Sequence, residues 1–415
     1  MGVNAKSGLA VAVDVGTTTI AVCALDSASG DVIARRGALN PQSEWGPDVL
    51  SRIEAIANAP DNLEKMSSAL AGAINGLVAD IVDPAQVVSV GVAGNTVMGH
   101  IFARVSPAPL AKVPYKPVFK EAKILDARDV GLVAGPGAKV YLFPSIGGFV
   151  GGDAVAVMLA LGFGLKHEVA LAIDIGTNSE IMLGGKGACY ATSAAAGPAF
   201  EAGGISSGMI AAPGAIERVL IADDELNLQV IGNQRPRGIC GSGIISAVSA
   251  MLGAGVIDGL GRVKDRVELD TNIGNRIKND VSGNAFTLYR GPGIDIRVTQ
   301  ADIRNLQNAK AAIRAGISML LAKAELTPKD VDKVYIAGAF GSKADPKDLA
   351  AIGVLDRAWS DKTEAVGDGA LDGVILALSN DKERSRAEEL ARFTKYVSLS
   401  GSAHFEKEFL GRMGF

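Results

Sequence analysis

Apolar residues in the chain come in short runs that end in one recurring polar motif. The first run starts at Leu9 and ends at Asp14, a Gly-Thr turn follows, and a second run reaches Leu25. Short apolar runs bounded by glycine turns predict the strands of a β-hairpin. Residues 32–40 supply a third run, so three consecutive strands are predicted here.

The same pattern recurs in VALAIDIGTNSEIMLGGKGACYATSA, where a run ends at Asp174 and another Gly-Thr turn follows. Asp14 and Asp174 are therefore equivalent positions. A strand also runs into Ala-Gly before Asn95 and again before Phe340, and a glycine loop opens an Ala/Leu-rich helix in GGDAVAVMLAL and in VGDGALDGVILAL. Three elements repeated in one order indicate an internal duplication.

The duplication predicts an α/β fold with two similar lobes, and a length of 415 residues also favours two domains over one core. The predicted limits are 1–165 for the first lobe, 166–380 for the second, and 381–415 for a C-terminal strand and helix that pack back on the lobes. Residues from about 205 to 297 have no counterpart in the first copy and are interpreted as a cap on the second lobe.

Composition excludes several classes of protein. A net charge of −4 lacks the basic field that nucleic-acid binding needs. The uncharged residues 238–257 are interrupted by Gly and Ser, which favours a loop and a buried helix over a membrane span. Cys23, Cys189 and Cys240 are odd in number and form no CxxC pair, as expected in a reducing compartment. With no apolar signal segment, we expect a cytoplasmic protein with neither nucleic-acid nor membrane partners.

The two Gly-Thr turns are candidate phosphate sites. A glycine without a side chain lets backbone N–H groups and neighbouring hydroxyls approach phosphate oxygens closely. One such turn is equally well explained as an ordinary hairpin turn, but two at matched strand ends favour phosphate. The predicted phosphate-binding residues are Gly16, Thr17, Thr18 and Thr19 in the first copy and Gly176, Thr177, Asn178 and Ser179 in the second.

Four carboxylates are candidates for the chemistry at these turns. Asp14 and Asp174 close the preceding strands, where each could hold Mg²⁺ through its water shell. Asp153 in GFVGGDA and Glu201 in GPAFEAGG could position an attacking water as catalytic residues. The alternative for either is an exposed turn carboxylate.

Two further glycine loops and one cysteine have two interpretations each. Gly338, in VYIAGAFGS, follows a predicted buried strand and could lie against a ribose or purine, although a plain strand-to-helix turn explains it too. The interlobe loop of Gly367, Asp368 and Gly369 could bind phosphate or only pack the lobes together. Cys240 precedes an apolar helix, so it is either a reactive thiol or a buried small residue.

With DVGTTT, DIGTNSE and AGAFGS in this order, the chain resembles the superfamily of acetate and sugar kinases, heat-shock chaperones and actin. The resemblance implies duplicated RNase H-like lobes with mixed central sheets and a nucleotide cleft between the lobes. ATP or ADP with Mg²⁺ is the implied ligand. The residues that the resemblance places on the adenosine are Gly338, Ala339, Phe340, Gly341 and Ser342.

A closer resemblance rests on GNTVMGHIF, FPSIGGFVGGD, AAAGPAFEAGGISSGMI, GICGSGI and HFEKEFLGRMGF. These segments are similar to the ATPase domain of reductive activators of corrinoid proteins. In that family an ATPase dimer binds a corrinoid protein that has been oxidised to Co(II), and nucleotide turnover assists the one-electron return to Co(I). The resemblance implies an ATP-hydrolysing activator that forms a homodimer and has a corrinoid protein as its partner.

The sequence departs from that family in one respect. Typical members carry an N-terminal [2Fe–2S] domain, whereas this sequence has no four-cysteine cluster spacing. No iron–sulfur cluster is therefore expected in this chain, and the electrons are expected from a separate iron–sulfur domain or protein. Two alternatives stay open: a small-molecule kinase, and a dehydratase-type activator that holds a [4Fe–4S] cluster between subunits through Cys189 and Cys240.

Overall fold

The computed structural model describes residues 8–280, 283–338 and 343–415. The strands are β1 (Leu9–Val15), β2 (Thr19–Asp26), β3 (Val32–Leu39), β4 (Val87–Gly94), β5 (Lys123–Asp126), β6 (Lys139–Leu142), β7 (Ala170–Asp174), β8 (Ser179–Gly185), β9 (Ala188–Ala194), β10 (Ala215–Ala222), β11 (Glu225–Val230), β12 (Gly238–Ile239), β13 (Ile277–Asp280), β14 (Gly283–Gly291), β15 (Ile294–Thr299), β16 (Lys333–Ala337), β17 (Thr363–Gly367) and β18 (Lys395–Tyr396).

The α-helices join these strands and cover their sheets. They are α1 (Val49–Asn58), α2 (Asn62–Ala79), α3 (Thr96–Phe102), α4 (Gly152–Ala160), α5 (Gly241–Gly253), α6 (Gln300–Lys323), α7 (Pro346–Ala351), α8 (Gly369–Ser379), α9 (Asp381–Phe393) and α10 (Ala403–Gly411). Within the described ranges, none of the helices combines the length and the apolar character needed to cross a membrane.

The chain divides into two compact units. The first contains residues 1–167, 184–191 and 368–396, and the second contains residues 168–183, 192–367 and 397–415. The lobe limits predicted from the sequence stay a prediction.

A six-stranded mixed sheet forms the centre of the first unit, in the order β3-β2-β1-β4-β6-β5. Strand β1 pairs antiparallel with β2 and parallel with β4, and β4 pairs parallel with β6. Helix α2 packs on β2 and β3, and the buried residues of α1 and α2, which include Ile53, Leu70 and Ile74, belong to one apolar cluster with residues of β1 and β2. The apolar positions of α1 and α2 recur at helical spacing, which is what a helix that packs on a sheet requires.

The second six-stranded sheet repeats this order. Its strands run β17-β16-β7-β8-β9-β18, and β16 pairs parallel with both β7 and β17. The run β9-β8-β7-β16-β17 therefore matches β3-β2-β1-β4-β6, strand for strand. The tip of the β8–β9 hairpin and its partner β18 count with the first unit. The duplicated α/β fold predicted from the sequence repeats is confirmed by this topology.

The segment between β9 and β16 has no equivalent in the first unit. It contains two three-stranded sheets, β11-β10-β12 and β13-β14-β15, with α5 and α6 beside them. Helix α6 begins at a capping box in which Thr299 accepts a hydrogen bond from the Asp302 amide and Asp302 accepts one from the Thr299 amide. Reciprocal bonds of this kind satisfy two of the unpaired N–H groups at a helix start.

Helices α4 and α8 open at the two glycine loops of the repeat, and they pack directly on each other in the first unit. A Cβ atom on Gly373 of α8 would lie 1.9 Å from the Ala156 carbonyl oxygen of α4. The two backbones therefore touch at a position where no side chain fits.

This close packing gives the first prediction. Replacing Gly373 with Ala should lower the free energy of unfolding by about 1–3 kcal/mol, because the added methyl group forces the two helices apart. Gly72 is the matched control, since it lies in α2 with open space around its missing Cβ and Ala there should stabilise the helix by roughly 0.5–1 kcal/mol. Urea denaturation of both variants measures this, and equal effects would contradict it.

Candidate functional site

The first candidate site lies where three parallel strands of the first unit end. Strands β1, β4 and β6 run in the same direction, so the loops that follow them emerge at one edge of the sheet. This edge is the usual place for ligands in such folds. The loop after β1 holds Gly16, the loop after β4 holds Asn95, and the loop after β6 leads to Asp153.

Hydrogen bonds from three side chains hold the first Gly-Thr turn. The Asn40 side-chain amide donates to the Gly16 carbonyl oxygen at 2.9 Å, and Arg52 Nη2 donates to the Thr17 carbonyl oxygen at 2.7 Å. Asn95 Nδ2 donates to the Thr17 hydroxyl at 3.0 Å. A Cβ on Gly16 would lie 2.8 Å from the Thr19 carbonyl oxygen, so the turn closes only with glycine at this position.

Close backbone contacts bring the neighbouring loops together. A Cβ on Gly94 would lie 2.6 Å from the Val15 carbonyl oxygen, and a Cβ on Gly151 would lie 2.4 Å from Asn95 Cα. The start of α4 therefore rests against the loop after β4. Asp153 stands in the first turn of that helix.

Asp153 is a carboxylic acid in an unusual environment. Its Oδ1 accepts a hydrogen bond of 2.7 Å from the Ala154 amide, which favours the carboxylate. Desolvation outweighs this bond and raises the pKa of Asp153 to about 6. A carboxyl group with this pKa exchanges a proton close to neutral pH, which suits a general acid or base.

The second Gly-Thr turn lies in the second unit and is held by residues of the turn itself and of the loop after β9. The Ser179 hydroxyl donates to the Gly176 carbonyl oxygen at 3.1 Å, and the Gly197 amide donates to the Thr177 carbonyl oxygen at 2.9 Å. The Thr177 hydroxyl donates to Glu201 Oε2 at 2.6 Å. Two of the predicted site residues, Thr177 and Glu201, are therefore in direct contact.

Glu201 stands on a short 3-10 turn that ends at the left-handed residue Ala202. Although the residue reaches solvent, protein atoms around its carboxylate desolvate it and raise its pKa, while the bond from Thr177 acts in the opposite direction. Burial thus raises the pKa of both Glu201 and Asp153. Glu201 contacts the second Gly-Thr turn, whereas Asp153 follows the glycine loop that rests against Asn95.

Asp174 closes β7 and lies next to the loop after β16. Gly338 in that loop has φ +92°, and a Cβ there would lie 2.6 Å from Asp174 Oδ1. Both the backbone angle and the carboxylate require glycine at this position. The other predicted adenosine residues, Ala339, Phe340, Gly341 and Ser342, lie outside the described residues.

The loop at Gly367–Gly369 begins a helix. Gly367 has φ +62°, and Asp368 Oδ1 accepts a 2.9 Å hydrogen bond from the Leu371 amide as the N-cap of α8. Burial raises the pKa of Asp368, and the nearby charge of Asp372 adds to this effect. The structure thus gives the Asp368 side chain a capping role.

The described residues offer no protein cage for a metal ion, since among them no group of three or more His, Cys, Asp or Glu side chains could hold one. Mg²⁺ usually keeps several waters and takes one or two carboxylates together with nucleotide phosphates. Asp14 and Asp174 stand at equivalent strand ends, one in each unit, and their role in holding Mg²⁺ stays a prediction.

All three cysteines are free and buried. Cys240 is the N-cap residue of α5, yet it is only 2% exposed, and its thiol donates to the Ile216 carbonyl oxygen at 3.3 Å. Burial raises the pKa of Cys189 in β9 to about 11. These thiols are core residues, and neither is exposed where a cluster shared between two subunits would need its ligands.

Asn40, Arg52 and Asn95 are not among the site residues that the sequence predicts. Each is separated by tens of residues from the turn that it holds, so no local spacing points to it. The one available signal is that Arg52 interrupts an apolar face of α1 beside Val49, Ile53 and Ile56, all of which are buried.

Comparisons with known proteins identify the family. Residues 9–166 match the family model described as the RACo middle region, and residues 168–415 match the model described as the C-terminal domain of RACo, the ASKHA domain. The chain belongs to the RACo family. Its match to an ASKHA domain confirms the predicted kinase, chaperone and actin type of fold.

Three relatives show how much of the family's length this RACo chain covers. The corrinoid activation enzyme RamQ of Eubacterium limosum is 32% identical over 411 residues, which are 96% of this chain and 69% of RamQ. A reductase of Methanosarcina barkeri named for the Co(II) methylated amine-specific corrinoid protein is 27% identical over 348 residues, 76% of this chain and 60% of that protein. A solved structure of a reductive activator for corrinoid, iron-sulfur protein has a TM-score of 0.89 at 36% identity and covers 100% of this chain and 67% of that chain.

The raised pKa of Asp153 gives the second prediction. A folded-state pKa of about 6 against an ordinary 3.8 means that folding is favoured while the group is protonated and loses this contribution as pH rises through 6. In the nucleotide-free protein, Asp153→Asn should therefore raise the free energy of unfolding by about 1–3 kcal/mol at pH 7. The gain should disappear towards pH 4.

Urea denaturation of wild type and Asp153→Asn at a series of pH values measures this difference directly. Asp61→Asn, which removes an exposed carboxylate from the same unit, controls for the loss of one negative charge. A stability difference that stays constant across the series would contradict the assignment.

Proposed function

We propose that this chain is the ATP-hydrolysing part of a reductive activator that assists the return of a corrinoid protein from Co(II) to Co(I). The observation that carries the proposal is the pair of equivalent Gly-Thr turns, at β1 and β7, in a chain that belongs to the RACo family. The relatives named for corrinoid activation supply the partner.

Each Gly-Thr turn binds phosphate, with backbone amides and hydroxyls supplied by Gly16 to Thr19 in the first unit and by Gly176 to Ser179 in the second. Asp14 and Asp174 would hold Mg²⁺ through its water shell, and the ion would supply positive charge that offsets the charge of the phosphates. The adenosine lies against the loop that starts at Gly338, where the missing side chain lets the backbone approach.

Glu201 is the better placed of the two candidates for orienting the attacking water. The hydrogen bond that it accepts from Thr177 fixes it at a phosphate turn, and its raised pKa makes the carboxylate a stronger proton acceptor. Asp153 takes a supporting role at the start of α4, where its carboxylate would accept a hydrogen bond from a water bound with the nucleotide.

The chain itself carries no electron in this proposal. A separate iron–sulfur domain or protein donates it, and a dimer of the activator binds the corrinoid protein. Nucleotide binding changes the conformation of the activator and thereby the way in which the corrinoid protein holds its cobalt. A ligand can shift such an equilibrium only by its difference in affinity for the two states.

The third prediction concerns Asp174. Replacing it with Ala should reduce Mg²⁺-dependent ATP hydrolysis by about 100-fold or more, because the charge stabilisation at the phosphates is lost. Asp361→Ala removes an exposed aspartate of the same unit and should hydrolyse ATP like the wild type. Phosphate release measured for all three proteins decides this, and unchanged turnover in Asp174→Ala would remove that residue from the site.

The fourth prediction tests the activity itself. The chain, a candidate corrinoid protein, Mg-ATP and a low-potential donor are mixed, and the Co(I) absorption band is followed with each component omitted in turn. Co(I) should form only in the complete mixture. Co(I) without a donor, or stoichiometric iron in the purified chain, would contradict the separate donor, and a phosphorylated metabolite as product would indicate a kinase instead.

A further inference from the structure

We propose that Arg52 is a positioning residue for the nucleotide phosphates, which rests on the nucleotide binding proposed above. Arg52 lies on α1, has none of its surface exposed, and reaches the first phosphate turn through its hydrogen bond to the Thr17 carbonyl oxygen. Because Arg52 is buried and its bond goes to a backbone carbonyl oxygen of the turn, we assign it an action through the backbone.

Neutral groups hold the guanidinium. Arg52 Nε donates to the Gly46 carbonyl oxygen at 3.0 Å, and Nη1 donates to Gln42 Oε1 at 3.3 Å. Burial lowers the pKa of Arg52 to about 10, partly offset by the charge of Asp48, so the group stays positively charged at neutral pH. Within the described part of the chain, its hydrogen-bond acceptors carry no formal charge.

The hydrogen bonds to the carbonyl oxygens of the first turn set the direction in which its amide N–H groups point. The carbonyl oxygens of Gly16 and Thr17 point to Asn40 and Arg52, and the Thr18 carbonyl oxygen accepts from the Asn40 amide at 2.8 Å. In a planar trans peptide the N–H points away from the carbonyl of the same unit. The amides of Thr17 and Thr18 therefore point away from the protein interior, as a phosphate-binding turn requires.

The second turn shows that a charge is not needed merely to hold such a backbone. There the Thr177 carbonyl oxygen, equivalent to that of Thr17, is held by the neutral Gly197 amide at 2.9 Å. A buried charge costs free energy unless something offsets it. At the first turn, Asp48 offsets part of this cost, and the negative phosphates one peptide unit away would offset more of it. The positive charge of Arg52 would then both fix the turn and favour the bound anion.

The experiment compares Mg-ATP affinity and stability in four proteins. Arg52→Gln removes the charge and the planar fork of donors, and Arg52→Lys keeps the charge but not the fork. Arg314→Met is the matched control, because Arg314 is a buried arginine of the second unit that stacks on Trp359 and lies outside the proposed site. Calorimetric titration gives Kd, and thermal unfolding shows that each variant is folded.

We expect Arg52→Gln to raise the Kd of Mg-ATP by about tenfold or more, since a hydrogen bond from a charged donor and its charge are both lost. Arg52→Lys should raise it about threefold or more, and Arg314→Met should bind like the wild type whatever the change in its unfolding midpoint. This split between affinity and stability separates a positioning role from a merely structural one.

A folded Arg52→Gln that binds Mg-ATP within about twofold of the wild type would overturn the proposal. If that variant does not fold, Arg52→Lys decides by the same criterion. An equal loss of affinity in Arg314→Met would also overturn it, because the effect would then follow stability alone. Failure of the wild type to bind Mg-ATP is the different outcome that overturns the proposed function as well.

Discussion

Parallel strand pairing is the constraint on which both candidate sites depend. The pairing of β1 with β4 sets Asp14 opposite Ala93 and Val15 opposite Gly94, and the pairing of β7 with β16 sets Asp174 opposite Ala337. Because side chains alternate between faces, a shift of one residue would move each aspartate to the other side of its sheet. The register therefore fixes which carboxylates and which glycine loops share an edge.

The charges at these edges are unfavourable in the protein by itself. Desolvation raises the pKa of Asp153 and of Glu201, and it lowers the pKa of Arg52. Folding therefore retains groups that would be easier to ionise in water, a pattern that is common where a protein binds or transforms a charged ligand. Binding of such a ligand to the folded state would in turn stabilise the fold.

The repeated elements could be predicted from the sequence because their signals are local. Apolar runs, Gly-Thr turns and the glycine loops before α4 and α8 each occupy a few consecutive residues, and comparison of the two copies strengthens them. The side chains that hydrogen-bond to the first turn could not be predicted from local patterns. Asn40, Arg52 and Asn95 reach the turn only after α1 and β4 pack in three dimensions. The contact of Thr177 with Glu201 likewise depends on a fold that brings together residues 24 positions apart.

The two turns differ in what kind of chemical group anchors them, and this has a consequence for how the two copies can diverge. At Thr177 the anchor is the backbone N–H of Gly197, which every amino acid except proline possesses. At Thr17 the anchor is an arginine side chain, which a single codon change can remove. A point mutation therefore acts differently on the two anchors: a substitution of Arg52 removes the donor itself, whereas a substitution of Gly197, at φ +76°, leaves the N–H in place but strains the backbone that presents it.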